Sequence, residues 1–228
     1  MARRYARDPL ARLKFMQNAT DDLERLEMAK QKAGFWFDPL CPWAWMTSRW
    51  ILEVEKVRDV EIEWNLFSLA HLNRDKDVPA EYKEKLIRSW YCTRVIAAAQ
   101  KEKGAAITLP LYTAISSRIH LKKMEVGEEL FREALAEVGL SPDLSSAMND
   151  SSFDATIIES HERGLKMVGN DVGTPIISVG DVAFFGPVIS PAPRGEEAGK
   201  LWDGVIGVAS YKGFFEIKRS RNVGPIFD

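Results

Sequence analysis

The sequence predicts an α/β fold with a central mixed sheet, flanking helices and an inserted all-helical subdomain. Three observations lead to this prediction. Early in the chain, a buried strand, a helix and an alternating strand follow one another, and this order makes a βαβ unit with parallel strands. The middle of the chain has helical patterns and no convincing strand. Late in the chain, two short apolar runs meet at a Gly-Asp turn, which is typical of an antiparallel hairpin.

The composition limits the classes of protein to be considered. The chain has 228 residues, which suffice for one large domain or for one domain with an insertion. Its net charge of −2 gives no reason to expect nucleic acid or an anionic membrane as a partner. No apolar run is long enough to span a membrane, and two cysteines are too few for a disulfide framework. The basic N-terminus lacks the apolar core of a secretory signal, so we expect a cytoplasmic protein.

The first 72 residues are expected to hold an N-terminal addition and the first half of the α/β domain. Within residues 1–32, a loose basic arm is followed by a short helix that starts at Thr20 and ends before Gly34. Residues 33–72 are expected to contain, in order, a buried strand, a helix and an alternating strand: about Ala33–Asp38, Cys41–Val57 and Val60–Leu69. Four apolar residues at helical spacing are expected to face the sheet: Trp45, Trp50, Ile51 and Val54.

The remaining residues are expected to form the insertion, the second half of the domain and a tail. Residues 73–165 are predicted to form five helices: Glu81–Lys103, Leu109–Lys123, Gly127–Val138, a short one opening at Ser141 and one opening at Ser152. Residues 166–220 complete the domain with a hairpin around Gly180-Asp181 and a final helix, Arg194–Ala209. Residues 221–228 are expected to be a tail.

The strongest chemical signal is Cys41-Pro42 at the start of the first predicted domain helix. Proline is accepted in the first turn of a helix because its missing N–H would have had no partner there. A cysteine at this point meets unpaired backbone N–H groups and the positive end of the helix dipole, and both favour the thiolate. We therefore expect a nucleophilic sulfur with a pKa below the free value of about 8.5. Asp38 has three interpretations: it changes the pKa of Cys41, it accepts the Cys41 proton, or it is only a residue of the turn.

The order of elements, with Cys41-Pro42 at the first helix, resembles the thioredoxin superfamily and, more narrowly, its DsbA-like branch with a helical insertion. The resemblance implies a thioredoxin-like fold over about residues 33–220. It also implies that Thr174-Pro175 has a cis peptide bond facing the cysteine, where an extended substrate can pair with the backbone. A Thr-Pro pair by itself would indicate only an ordinary strand entry.

The motif departs from the dithiol enzymes of this superfamily, which have Cys-x-x-Cys. Here the stretch is Cys41-Pro42-Trp43-Ala44, so the second cysteine is alanine and a vicinal disulfide cannot form. Cys41 can still attack a disulfide, but Ala44 cannot resolve the mixed disulfide that results. We therefore expect a monothiol mechanism in which a small cellular thiol completes the cycle.

Longer runs resemble the mycothiol-dependent nitroreductase family of actinobacteria: residues 35–43, 47–54, 172–175, 184–188 and 194–202. The resemblance implies a thiol oxidoreductase that uses mycothiol, with reductase activity on nitro compounds in some members. The related kappa-class glutathione transferases hold glutathione with a Ser-Asp pair, where this chain has Pro187 and Val188. Neither side chain can accept a hydrogen bond from an ammonium group, which weakens a glutathione hypothesis.

Several other residues have more than one interpretation. Cys92 is either a distant resolving thiol or, as we prefer, a small buried core residue. Three widely spaced histidines (His71, His120 and His161) lack metal-ligand spacing, and no metal site is predicted. His71 or Asn73, just after the second strand, either lines the cleft between the sheet and the insertion or is only a polar loop residue. The Trp43 ring either stacks on an aromatic substrate or covers the edge of the cleft.

The sequence therefore predicts a thiol-dependent oxidoreductase with Cys41 as nucleophile and Pro42, Trp43, Thr174 and Pro175 as thiol- or substrate-binding residues. No tightly bound cofactor is expected; mycothiol or another small thiol would be the co-substrate, and the partners would be this thiol and a disulfide or nitro compound. A homodimer is left open. Two other classes stay open as well: a thiol transferase or isomerase related to the kappa class, and a non-catalytic module that holds a peptide in its cleft.

Overall fold

The four-stranded sheet of the computed structural model is mixed, as predicted. The structure describes residues 30–227. The strands are β1 (Gln31–Phe37), β2 (Val60–Leu66), β3 (Ile176–Val179) and β4 (Val182–Phe185). They lie in the order β2-β1-β3-β4, with β2 parallel to β1 and the other neighbouring pairs antiparallel. Phe35 of β1 lies opposite Trp64 on β2 and Ile177 on β3, so β1 is central.

Seven helices surround this sheet within the described residues. They are α1 (Pro42–Val54), α2 (Leu69–Leu72), α3 (Ala80–Lys103), α4 (Thr108–His120), α5 (Glu128–Glu137), α6 (Asp154–Val168) and α7 (Gly195–Ala209). Shorter 3₁₀ turns occupy Ala105–Ile107, Pro142–Asn149 and Ser151–Phe153. Helices α2 to α6 lie in the chain between β2 and β3, where the sequence predicts the insertion. None of the helices described for residues 30–227 is both long and apolar enough to cross a membrane.

Several element boundaries differ from the predicted ones. Strand β2 ends at Leu66 because Ser68 caps the short helix α2, its hydroxyl accepting a hydrogen bond from the N–H of His71 at 3.2 Å. The helix predicted from Ser141 is a 3₁₀ helix. Residues 31–33 of the predicted N-terminal helix belong to β1 and residue 30 has no regular structure, while residues 1–29, with the basic arm and the start of that helix, lie outside the described residues.

Helix α1 is buried on the face that the periodicity predicts. Trp50 is fully buried, and its indole N–H donates to the carbonyl of Ala198 on α7 at 3.1 Å. Its ring also lies 5.9 Å from that of Trp202. Half-buried Arg58, just after α1, pairs with Glu196 and Asp203 on α7. Helices α1 and α7 therefore form one layer over the sheet.

The insertion packs against the sheet through aromatic side chains. Tyr112 on α4 is fully buried, and its ring lies 4.0 Å from Phe37 and 5.9 Å from Trp64. It also contacts Trp45 on α1 edge to face at 6.0 Å. On the opposite face of β1, Trp36 donates from its indole N–H to the carbonyl of Ser160 on α6 at 2.9 Å. Helices of the insertion thus hold both faces of β1, directly before the Cys41 turn.

Candidate active site

Cys41 sits at the junction between the central strand and helix α1. Strand β1 ends at Phe37, and the turn that follows is closed by the N–H of Cys41, which donates to the carbonyl of Asp38 at 3.0 Å. Cys41 is the N-cap of α1, and Pro42 occupies the first helical position. The N–H of Ala44 donates to the Cys41 sulfur at 3.4 Å. The sulfur therefore faces the free N–H groups of a helix start, as the motif predicts.

The second part of the site is the chain that enters β3. The peptide bond between Thr174 and Pro175 is cis, as the family resemblance implies. The thiol of Cys41 donates to the Thr174 carbonyl at 3.3 Å. The Thr174 hydroxyl in turn donates to the carbonyl of Trp36 at 2.7 Å, which fixes this segment against β1. The structure thus brings Cys41, Thr174 and Pro175 together, while Trp43 lies half-buried at the rim of the site.

The protonation state of Cys41 is not the predicted one. The pKa of its thiol is raised to about 11, chiefly because the side chain is buried and in part because the charge of Asp38 is nearby. The N–H groups of Ala44 and Trp43 act in the opposite direction, but the lost hydration of the thiolate outweighs them. Only 7% of Cys41 is exposed. The expectation of a lowered pKa is therefore wrong for this closed arrangement, in which Cys41 is a neutral thiol.

Asp38 is a buried anchor beneath the cysteine and accepts three hydrogen bonds. Its carboxylate accepts from the backbone N–H of Leu40 at 2.9 Å and from that of Leu69 at 2.7 Å. The third donor is the hydroxyl of Ser89 on α3. Burial raises the pKa of Asp38, although these three donors oppose that shift. Asp38 thus ties the Cys41 turn to the insertion, and it also places a negative charge near the sulfur.

Replacing Asp38 with asparagine is expected to make Cys41 more reactive and the protein less stable. Removing the charge favours the thiolate, so the pKa of Cys41 falls, and alkylation at pH 7 accelerates about 3- to 10-fold. The amide cannot accept all three hydrogen bonds, and stability falls by about 2–4 kcal/mol. The measurement is the pH profile of Cys41 alkylation, which for the unchanged protein rises tenfold per pH unit towards a midpoint near 11.

Ser89→Ala is the matched control, because it removes one donor to Asp38 and leaves the charge in place. We expect this variant to lose stability without the downward shift in the midpoint of the alkylation profile. An unchanged midpoint in the Asp38→Asn variant would show that the Asp38 charge does not act on the sulfur.

Two histidines distant in sequence meet near the site, which their spacing did not indicate. The rings of His71 and His161 lie 4.9 Å apart, and His71 Nε2 lies 3.0 Å from a Glu162 oxygen. One ligand atom from each of the three residues falls within 4.8 Å of the others. However, Nδ1 of His161 accepts from the N–H of Ser68 at 3.3 Å, so in the neutral ring its proton sits on Nε2. This tautomer offers no free nitrogen lone pair to a metal, and burial lowers the pKa of His161 to about 4.

Cys92 lies on α3 and is fully buried, which agrees with its interpretation as a core residue. Burial raises the pKa of its thiol well above the ordinary value, and the charge of Asp38 adds to this effect. It is therefore a poor nucleophile where it lies. Sequence reasoning missed Ser68 and Ser89, because only the folded chain places them against Asp38 and His161.

A family model described as "Rv2466c-like: Mycothiol-dependent nitroreductase Rv2466c" matches residues 40–219. The chain belongs to this family. The match begins directly before Cys41 and contains both halves of the site. Among curated proteins, the chain is 28% identical over 194 residues to "Uncharacterized protein Rv2286c" of Mycobacterium tuberculosis (strain ATCC 25618 / H37Rv), covering 84% of this chain and 83% of that protein.

Solved structures show the same fold at low sequence identity. The probable DsbA oxidoreductase SCO1869 from Streptomyces coelicolor has a TM-score of 0.54 at 15% identity, covering 86% of this chain and 97% of that one. The cytosolic disulfide reductase DsbM from Pseudomonas aeruginosa, solved with GSH, has a TM-score of 0.50 at 14% identity, covering 77% of this chain and 99% of that one. These likenesses confirm the predicted DsbA-like thioredoxin fold. Family and fold together indicate a thiol-dependent oxidoreductase.

Proposed function

We propose that the protein is a mycothiol-dependent oxidoreductase that works through the single nucleophile Cys41. The observation that carries this proposal is the position of the sulfur between the N–H of Ala44 and the carbonyl of Thr174. The first group stabilises a thiolate or the sulfur of a mixed disulfide. The second can accept a hydrogen bond from an extended substrate.

Substrate binding supplies the activation that the closed site lacks. In the resting state, the Thr174 carbonyl holds the thiol proton of Cys41. A donor group of the bound substrate or of the bound small thiol that pairs with this carbonyl replaces the Cys41 thiol as donor, and the Cys41 thiol then loses its proton to solvent. The Ala44 N–H remains as the partner of the sulfur and favours the thiolate. Reactivity towards a bound substrate is therefore higher than the free-site pKa suggests.

A complete cycle of thiol-disulfide exchange needs only one protein thiol. The Cys41 thiolate attacks one sulfur of a disulfide R–S–S–R, the S–S bond breaks, and RS⁻ leaves and takes up a proton. A second thiolate, R′S⁻, then attacks the sulfur of R in the mixed disulfide. This step releases the Cys41 thiolate and forms R–S–S–R′. Ala44 makes the second thiol obligatory, because it has no sulfur to resolve the intermediate.

The family indicates mycothiol as this thiol and nitro compounds as a further class of oxidant. Reduction of a nitro group to a nitroso group consumes two thiols and yields one disulfide and one water. The two thiols of the cycle, that of Cys41 and that of mycothiol, therefore supply its two electrons. Trp43 at the rim offers a ring on which an aromatic nitro compound can stack. Pro42 follows the cysteine directly, and Pro175 follows the carbonyl that accepts its thiol proton, so we assign both prolines to the binding site.

The experiment is a steady-state assay with mycothiol or glutathione as the only reductant. One arm uses bis(2-hydroxyethyl) disulfide as the oxidant, and the other uses a nitroaromatic compound. We expect turnover with mycothiol in the disulfide arm, with a rate that rises with thiol concentration because the second thiol is obligatory. Turnover with glutathione should be at least about tenfold lower. Equal rates with both thiols would contradict the mycothiol assignment, and isomerisation or conjugation without redox change would favour the kappa-class alternative.

A further inference from the structure

The C-terminal segment Arg221–Phe227 packs against Trp43 and His120, close to the Cys41 turn. After α7 the chain is irregular, and its apolar residues Phe215 and Ile217 are 92% and 78% exposed. It then docks again at Arg221, whose guanidinium lies 5.0 Å from the centre of the Trp43 ring. Residues 221–227 are called the strap below.

Three sets of contacts hold the strap within the described residues, and the sets at Arg221 and Phe227 lead to neighbours of Cys41. Arg221 covers Trp43, two residues after the cysteine. Phe227 stacks on His120 at 5.6 Å, and the His120 ring in turn lies 2.9 Å from the carbonyl of Pro39, two residues before the cysteine. The ammonium of Lys123 also lies 4.7 Å from the centre of the Phe227 ring. Burial lowers the pKa of His120 to about 4, so at neutral pH it is an uncharged donor to Pro39.

The third set of contacts joins the strap to the loop after β4. The hydroxyl of Ser190 donates to the carbonyl of Gly224 at 3.4 Å and accepts from the N–H of Ile226 at 2.7 Å. This loop also borders α1, because the hydroxyl of Thr47 lies 2.7 Å from the carbonyl of Pro187. The strap therefore bridges two walls of the site, the end of α4 and the loop after β4.

We propose that the strap restricts Cys41 to small disulfides and thiols and excludes the disulfides of folded proteins. A protein disulfide lies on a broad convex surface, and it must bring its S–S bond into line with the sulfur of Cys41, a residue that is only 7% exposed. Arg221 and Phe227 form a rim that collides with such a surface before its disulfide can reach the Cys41 sulfur. A small thiol passes between the walls.

This inference rests on the proposed monothiol function and names its substrate class. Without a resolving cysteine, both the disulfide and the releasing thiol must reach Cys41 from solvent, so both face the same size limit. The family match covers residues 40–219 and so does not include the strap. Most of its residues are exposed, which makes it removable without loss of the core.

The test compares full-length variants in their stoichiometric reaction with two oxidised probes. The double variant Arg221→Ala, Phe227→Ala releases both ends of the strap, and Ser190→Ala removes its two hydrogen bonds to the loop. Phe215→Ala with Ile217→Ala is the matched control, because these tail side chains are exposed. The probes are insulin as the protein disulfide and bis(2-hydroxyethyl) disulfide as the small one.

We expect the double variant to react with insulin at least about tenfold faster than the unchanged protein, with less than about threefold change for the small disulfide. Ser190→Ala should also raise the ratio of the insulin rate to the small-disulfide rate, and the control should leave this ratio unchanged. If both strap variants kept the rate ratio of the unchanged protein, the inference would be wrong. No reaction of Cys41 with either probe, even in the unchanged protein, would instead contradict the proposed function.

Discussion

Cys41→Ser is expected to abolish turnover while leaving the fold intact. Loss of the attacking sulfur should reduce activity by at least about 10³-fold, because a serine hydroxyl without an adjacent base is a very weak nucleophile. Serine is a favourable N-cap residue, and its hydroxyl can accept from Ala44 and donate to Thr174 as the thiol does. The measurement is turnover with mycothiol, together with the thermal unfolding midpoint.

Cys92→Ser serves as the control for this substitution. Cys92 is fully buried on α3, so its replacement should leave turnover in the folded fraction unchanged. A Cys41→Ser protein that keeps more than a tenth of the activity would rule out Cys41 as the nucleophile. Loss of activity in the Cys92 variant with an intact fold would make Cys92 the resolving thiol and remove the monothiol mechanism.

Ala44→Cys is expected to convert the site into a dithiol. Ala44 lies in the first turn of α1, and its N–H already contacts the Cys41 sulfur at 3.4 Å. A thiol at this position attacks the mixed disulfide within the molecule. At micromolar external thiol, release of the adduct should therefore accelerate by at least about 10³-fold. The measurement is the lifetime of the adduct by mass spectrometry, with formation of an internal disulfide seen as the loss of two hydrogens.

Ala44→Ser is the matched control, because serine adds a polar atom of similar size without a sulfur. It should leave the adduct as long-lived as in the unchanged protein. If Ala44→Cys also left the adduct lifetime unchanged, then position 44 would not be in line with the Cys41 sulfur, and the assignment of Ala44 as the missing resolving residue would be wrong.

The fold could be predicted because its signals are local. Apolar residues at helical spacing placed Trp45 and Trp50 on the buried face of α1, and both are buried. The turn at Gly180-Asp181 placed the hairpin of β3 and β4 correctly. The cis bond at Thr174-Pro175 followed from the family resemblance and not from the residues themselves. The division of the chain into units stays a prediction, as does the part of the N-terminal unit that lies outside the described residues.

The electrostatics of the site could not be predicted, because they depend on contacts between distant parts of the chain. The helix start lowers the pKa of Cys41, as local reasoning said, but burial by the surrounding segments outweighs it. The histidine pair is a similar case, since His71 and His161 meet only when α6 packs beside α2. The strap was expected only as a tail, because nothing in its composition indicates that Phe227 returns to His120.

The most direct test of the central claim is intact-mass analysis of the reduced protein after incubation with mycothiol disulfide. The account predicts one adduct, located on Cys41 by peptide mapping, which persists when the reagent is removed and is released by added mycothiol. An adduct on Cys92, an adduct that disappears without added thiol, or no adduct at all would contradict a monothiol cycle at Cys41.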